Sequence, residues 1–205
     1  MVVKRSPDAT RARLLEAAFE EIYQRGYQAA SVDRILSATD LTKGALYHHF
    51  PNKAALGLAV IEEVIKPMKM EYWIAPLRGA DDPIEAIIGI LNGFSDEDRR
   101  NVCSKGCPIN NLAQEMSPID EDFRHKIEEI YSLWRETLVA AFERGRQTGT
   151  VAEDVDCEKA AAFIIAALQG AVGVAKSSQD CSMLEACMEG LTRYLESLRP
   201  VAVSV

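Results

Sequence analysis

The chain has 205 residues, 48% of them hydrophobic, which suits one or two globular domains with a real core. No apolar run reaches the ~20 residues of a membrane span, since the most apolar run, Ala160 to Ala175, is broken by Gln169 and two glycines. No signal peptide is evident, and five cysteines without a regular framework fit a reducing cytoplasm. The net charge of −8 is unevenly placed: residues 1–53 hold eight Lys and Arg and six Asp and Glu, and the rest hold fifteen and twenty-five. This pattern indicates a basic N-terminal domain on an acidic body.

The first predicted helix runs from about Pro7 to Arg25 and ends at Gly26, a residue typical of helix C-termini. Its apolar stripe has helical spacing and consists of Leu14, Leu15, Ala18, Phe19, Ile22 and Tyr23. Basic side chains cluster ahead of this stripe, at Lys4, Arg5, Arg11 and Arg13. For Arg11 and Arg13 we weigh phosphate contact and a solvated helix start as equal alternatives.

The stretch from Ser31 to Lys53 predicts two short helices joined by a tight turn at residues 39–41. Thr42 is a good N-cap for the second helix, because its hydroxyl can accept a hydrogen bond from an amide that otherwise lacks a partner. Leu46 and Phe50 would point inward, and Pro51 would end the helix. The outward face groups hydrogen-bond donors around a glycine, namely Thr42, Lys43, Gly44, Tyr47, His48 and His49. Donors of this kind suit phosphates and base edges in a major groove, as on the recognition helix of a helix-turn-helix.

This stretch resembles the DNA-binding domain of the TetR family of transcriptional repressors, and the direct match covers about a quarter of the chain. The matching positions are Val32, Ile35, Gly44, Leu46, Tyr47, His49, Phe50 and Lys53. It departs from the family pattern at Leu36 and in the turn, where Asp40 would tolerate a left-handed conformation. The resemblance implies that His49 and Lys53 contact phosphates. We therefore expect DNA contacts from Ser31, Thr42, Lys43, Gly44, Tyr47, His48, His49 and Lys53.

The rest of the chain reads as further helices. A long fourth helix starts at the cap Asn52 and continues towards Trp73 with a kink at Pro67. Asp82-Pro83 opens another, residues 95–106 read as a polar loop, and Pro108 restarts a short helix before a long one over residues 123–142. Two apolar helices end the chain, near residues 156–175 and 182–198. By the resemblance these two pair with a second subunit as a homodimer, the alternative being a buried core helix in a monomer.

The resemblance also implies an effector site among the middle helices. Its expected lining is aromatic and sulfur-containing, which favours an apolar or aromatic effector: Trp73, Phe94, Cys107, Met116, Tyr131 and Trp134. Cys107 would sit at the N-cap of the helix that Pro108 opens, where helix amides favour a thiolate, so an electrophile- or oxidant-sensing thiol is one hypothesis for Cys103 or Cys107. The alternative is a small buried apolar residue, and Cys157, Cys181 and Cys187 read as packing.

Metal binding and catalysis find no support in the sequence. His48 and His49 are neighbours on a helix and point about 100° apart, and the catalytic motifs that we sought are missing. We therefore predict an all-α protein of about nine helices without cofactor. It has a three-helix helix-turn-helix domain at residues 1–53 and a ligand-binding and dimerisation domain at residues 54–205. The predicted function is a cytoplasmic, effector-responsive regulator of a double-stranded DNA operator. Two alternatives stay open: a helical small-molecule binding protein that no longer binds DNA, as the altered turn at Asp40 would suggest, and an all-α enzyme.

Overall fold

The computed structural model describes residues 7–201, and over that range the secondary structure is helical, which confirms the predicted all-α class. Lys4 and Arg5 lie outside the described residues. Eleven α-helices occur in the described range: α1 Pro7–Arg25, α2 Val32–Ser37, α3 Lys43–His49, α4 Lys53–Val60, α5 Lys66–Lys69, α6 Pro83–Asn92, α7 Asp96–Lys105, α8 Pro108–Met116, α9 Glu121–Thr148, α10 Cys157–Ser178 and α11 Cys181–Ser197.

The region predicted as one long helix kinked at Pro67 contains two wider turns. π-Helical segments occupy Ile61–Ile65 and Met70–Ile74, on either side of α5. A π-helix is defined by hydrogen bonds from the amide of one residue to the carbonyl five residues earlier. The Ala75 amide donates such a bond to the Met70 carbonyl at 2.8 Å. Proline lacks an amide hydrogen and its ring crowds the preceding turn, so a wider turn before Pro67 gives the ring room.

The chain divides into two compact units, one of Met1–Met68 with Pro108–Glu128 and the other of Lys69–Cys107 with Glu129–Val205. The predicted boundary after residue 53 is a division by function and stays a prediction. In the first unit α1 packs against α2, α3, α4 and the Ile61–Ile65 turn. Its core includes the side chains expected to point inward, among them Leu14, Leu46 and Phe50, all at most 2% exposed.

Glu115 ties the loop after α1 to α8 within the first unit. Its two carboxylate oxygens accept hydrogen bonds from the amides of Tyr27 and Gln28, each at 2.8 Å. Gly26 precedes these amides with φ of 82°, a conformation that favours glycine. The Tyr27 ring then lies 4.6 Å from that of Phe123.

The second unit has two clusters of buried apolar residues. Its helix α10 packs on α7 and α11, and α11 also contacts α6. Arg199 follows α11 and links the C-terminal end of this helix to the start of α6. Its guanidinium lies 2.7 Å from Asp82, the N-cap of α6, and 2.8 Å from Glu196. Burial alone would raise the pKa of Asp82, but the hydrogen bonds from Arg199 and from the α6 amides outweigh burial and lower this pKa.

Residues 96–105 form α7, so the prediction of a polar loop there was wrong. The helix is begun by a capping box, in which the Ser95 hydroxyl accepts from the Asp98 amide and the Asp98 carboxylate accepts from the Ser95 amide. Acidic residues in its first turn and Lys105 in its last suit the helix dipole. Cys103 is the one buried residue of this helix. The helix therefore has no apolar stripe from which its sequence could have predicted it.

Cys103 is bonded to Cys181 in a disulfide, with Cα atoms 5.5 Å apart. Reading Cys181 as simple packing was therefore wrong, and Cys103 is not a free thiol in this structure. The free cysteines are Cys107, Cys157 and Cys187. Because the two bonded residues are 78 apart in sequence, spacing alone did not reveal the pair.

The expectation that no segment could span a membrane also needs correction. α10 has 22 residues and is long and apolar enough to cross a membrane by length and composition, because it extends beyond the run from Ala160 to Ala175 on which the expectation rested. This criterion is weak for one helix, since core helices of soluble proteins meet it too. Ala161, Ile164 and Ala175 on α10 are fully buried in the second unit, which gives its apolar character another cause.

Candidate functional site

The helix-turn-helix forms as the sequence predicts. The Thr42 hydroxyl caps α3 by accepting from the Ala45 amide at 3.2 Å. The turn between the helices is closed by the Thr39 amide, which donates to the Leu36 carbonyl at 3.0 Å. Asp40 has no positive φ, so the unusual turn sequence is accommodated without the left-handed residue that we expected.

Burying one face of α3 leaves the opposite face in solvent. Lys43 and His48 are exposed, and 47% of the Tyr47 surface is accessible. Gly44 is exposed as well, and a Cβ atom added there would meet nothing closer than the Thr42 hydroxyl at 3.8 Å. The protein itself therefore has room for a side chain at position 44. A glycine at this position would let another surface approach the backbone closely, and that contact stays a prediction.

Lys43 is engaged in an exposed ion pair across the helix-turn-helix. Its ammonium lies 2.8 Å from the Asp33 carboxylate of α2, and this hydrogen bond raises the pKa of Lys43. Both side chains are more than half exposed. Such a pair is weak in water, so the ammonium can leave it for a phosphate.

The other predicted DNA contacts are less free. Lys53 donates to the Gln28 carbonyl at 3.1 Å and lies 4.7 Å from the centre of the Tyr27 ring, and burial is the main cause of its lowered pKa. His49 is half-buried beside Phe50. Ser31 starts α2 without a capping bond from its side chain, while its amide donates to Glu21 at 3.2 Å.

The arginines near this surface are paired with carboxylates inside the first unit. Arg11 donates to Glu63 at 3.0 Å and lies over the Phe50 ring, 4.4 Å from its centre. Arg13 lies 3.6 Å from Asp40. These two arginines thus have partners in the protein, and phosphate contact by either of them stays a prediction.

The aromatic residues predicted to line an effector site gather in the second unit, whereas the predicted Met116 belongs to the first. The ring centre of Trp73 lies 4.9 Å from that of Trp134 and 6.5 Å from that of Phe94. Tyr131 packs against the same core. Met116 is buried in the first unit.

Sequence reasoning missed Lys69, which is 9% exposed and lies against both tryptophans. Its ammonium is 3.9 Å from the ring centre of Trp134. Burial lowers the pKa of Lys69, and the nearby Cys107 opposes this effect. The signal available in the sequence was its register: Lys69 stands four residues before Trp73, where an amphipathic helix would carry an apolar residue.

Cys107 directly precedes α8, and Pro108 is the first residue of that helix, as predicted. The thiol is free and partly accessible. Over residues 7–201, no three His, Cys, Asp or Glu side chains are placed to hold a metal ion.

Comparison with known proteins gives matches over most of the chain. A family model described as bacterial regulatory proteins, tetR family, matches residues 14–60, and one described as tetracyclin repressor-like, C-terminal domain, matches residues 83–191. The transcriptional regulator AcuR of Cereibacter sphaeroides is 31% identical over 174 residues, covering 83% of this chain and 79% of the relative. The HTH-type transcriptional repressor DhaR of a Mycobacterium species is 27% identical over 197 residues, covering 93% and 92%. The crystal structure of a TetR transcriptional regulator from Chloroflexus aurantiacus has a TM-score of 0.80 and 28% identity, covering 92% of this chain and 95% of that one.

Proposed function

Because the chain belongs to the TetR family of helix-turn-helix transcriptional regulators, we propose that it is a homodimeric, cytoplasmic repressor that leaves its DNA operator when an effector binds. The carrying observation is the exposed face of α3, which presents Lys43, Tyr47 and His48 around Gly44 on a helix whose other face is buried. DhaR, a relative over nine-tenths of the chain, is named a repressor, which favours repression over activation.

The DNA contacts proposed for α3 divide by chemistry. Lys43 supplies a charge for phosphate, while Tyr47 and His48 supply donors that can reach phosphates or base edges. Two α3 helices related by two-fold symmetry would read a near-palindromic operator with half-sites about one or more helical turns apart. Lys53 and His49 would act from the edges of this surface, and Lys53 would first have to leave the Gln28 carbonyl.

We propose that the dimer forms through α10 and α11. Between Ala162 and Val174, the exposed residues of α10 recur at helical spacing and are all apolar or small: Ala162, Phe163, Ala166, Gly170, Gly173 and Val174. A Cβ atom at Gly170 or Gly173 would have no neighbour within 4 Å, so the described chain leaves this stripe open to a close partner. Met183 on α11 is 41% exposed and adds to the apolar surface.

The effector would bind in the second unit, near the cluster of Trp73, Trp134 and Phe94. For binding to release DNA, the effector must have higher affinity for the conformation that does not fit the operator, since equal affinity for both conformations shifts nothing. A thiol-reactive signal at Cys107 is a second route, supported by its free thiol at the start of α8. If an electrophile or oxidant releases DNA equally well from a Cys107→Ser variant, that route is wrong.

The function is tested by titrating the protein against DNA from upstream of its own gene at two salt concentrations, with a scrambled fragment as control. We expect tight, salt-sensitive binding that the scrambled fragment does not share. A matched variant pair of Tyr47→Ala on α3 and Tyr72→Ala, which is similarly exposed at 49%, separates a specific surface from a general loss. Failure of the folded dimer to bind any DNA at low salt would contradict the proposal and favour a small-molecule sensor without DNA binding.

A further inference from the structure

The buried ammonium of Lys69 occupies an environment of aromatic faces. It lies 3.9 Å from the ring centre of Trp134 and 5.4 Å from that of Trp73, and both tryptophans are at most 7% exposed. Cation–π attraction stabilises the charge in this position. The same contacts remove the ammonium from water, which opposes the charge.

Charged partners are lacking for this lysine. Among residues 7–201, Lys69 has no carboxylate within ion-pair distance and its ammonium makes no hydrogen bond. The faces of two indole rings lie next to it, and Cys107 is nearby. The indole N–H of Trp134 is also buried and has no acceptor. One side-chain cluster therefore holds two buried donor groups and no anion to receive them, which is rare in a folded protein because both groups cost free energy as they stand.

From this cluster we propose that Lys69 and Trp134 bind the carboxylate of an effector whose remaining part is apolar or aromatic. The inference rests on the proposed function in that it names the class of effector that the second unit takes. A single carboxylate balances the single ammonium and can accept from both donors, whereas a phosphate dianion would bring an uncompensated charge into the apolar surroundings. The apolar part would contact the rings of Trp73 and Phe94, 6.5 Å apart between centres.

The chain offers a direct optical readout of this site. It contains two tryptophans, and both are in the cluster, so intrinsic tryptophan fluorescence reports on this site in the full-length protein. We would titrate the protein without DNA with hexanoate and with benzoate, each against its neutral amide, hexanamide or benzamide, at constant ionic strength. The amides match the acids in size and shape and lack the negative charge.

We expect a saturable change in fluorescence with at least one carboxylate, and binding of its amide at least about tenfold weaker. Lys69→Met keeps the length of the side chain and removes its charge, and should abolish this preference for the acid while leaving the weak binding of the amide. Lys159→Met is the control, because it removes the same charge from the second unit at a side chain that is 86% exposed. Lys69→Gln is a second variant, and circular dichroism checks that each variant is folded.

Equal affinity for acid and amide, an unchanged preference in folded Lys69→Met, or no response to either carboxylate in folded wild-type protein would each overturn the proposal. These outcomes are independent of the regulator proposal, because the titration contains no DNA. Conversely, loss of DNA binding would leave the carboxylate preference measurable.

Discussion

The ion pair between Lys43 and Asp33 predicts opposite effects for its two members. If Lys43 contacts phosphate, Lys43→Met should weaken binding to DNA, whereas Asp33→Asn should strengthen it by freeing the ammonium and by removing a negative charge close to DNA. A purely structural pair would make both substitutions act alike. Both side chains are largely exposed, at 60% and 77%, so we expect neither change to alter the melting temperature measurably.

The size of the Lys43→Met effect follows from counterion release. Each phosphate neutralised on duplex DNA contributes about 0.9 to the slope of log K against log salt, so a dimer that loses two contacts should lose about 1.8 from its slope. At roughly 0.15 M salt, relative to 1 M, that slope corresponds to about 30-fold weaker binding. Asp33→Asn should leave the number of phosphate contacts, and hence the slope, unchanged.

Fluorescence anisotropy with the upstream fragment and its scrambled control, at salt concentrations from about 50 to 200 mM, measures both quantities. Lys43→Met should weaken binding to both fragments by a similar factor, because a phosphate contact carries no sequence information. An unchanged slope in Lys43→Met, or a fall in affinity for Asp33→Asn equal to that for Lys43→Met, would refute the phosphate role of Lys43.

Four further substitutions test the contacts inside each unit, and each is measured by denaturant unfolding. Gly57→Ala should lower the free energy of unfolding by about 1–3 kcal/mol, because its Cβ would lie 2.6 Å from the Tyr27 ring and 2.8 Å from the Phe123 ring. Gly89→Ala is the control: its Cβ would enter open space on a helix, so it should raise the free energy of unfolding by about 0.5–1 kcal/mol. Glu115→Gln should cost about 1–2 kcal/mol, because the two backbone N–H groups donate to different carboxylate oxygens and glutamine replaces one of these acceptors by an NH2 donor. An unchanged free energy of unfolding would contradict a stabilising role for these two hydrogen bonds. Arg199→Met should cost about 1 kcal/mol at neutral pH, and the cost should shrink as the pH falls through the lowered pKa of Asp82, since a protonated carboxyl no longer pairs. A cost independent of pH would point to lost packing instead.

The helix-turn-helix could be predicted because its signals are local. The N-cap Thr42, the inward Leu46 and Phe50 and the terminating Pro51 are all within one short segment, and each acts on its immediate neighbours. The same holds for α1 and its stop at Gly26, where the bounds Pro7–Arg25 were predicted correctly. Short-range physics determines these elements.

The missed features depend on residues that are distant in sequence or on helices without an apolar stripe. α7 has capping signals but one buried residue, so hydrophobic periodicity could not find it. The Cys103–Cys181 disulfide joins residues 78 apart in sequence. The hydrogen bonds from the Tyr27 and Gln28 amides to Glu115 join residues 88 and 87 apart. Lys69 was overlooked because composition treats lysine as a surface residue, and its two ring contacts, to Trp73 and Trp134, appear once the chain is folded.

The central claim is that two α3 helices read DNA in a two-fold symmetric manner. Selection of bound duplexes from a random pool, followed by footprinting of the enriched sequence, tests this claim even though the operator sequence is unknown. We predict enrichment of a near-palindrome, with two protected half-sites one or more helical turns apart, and loss of that protection in Tyr47→Ala. A folded wild-type protein that enriches no sequence, or protects one unsymmetrical site, would contradict the account.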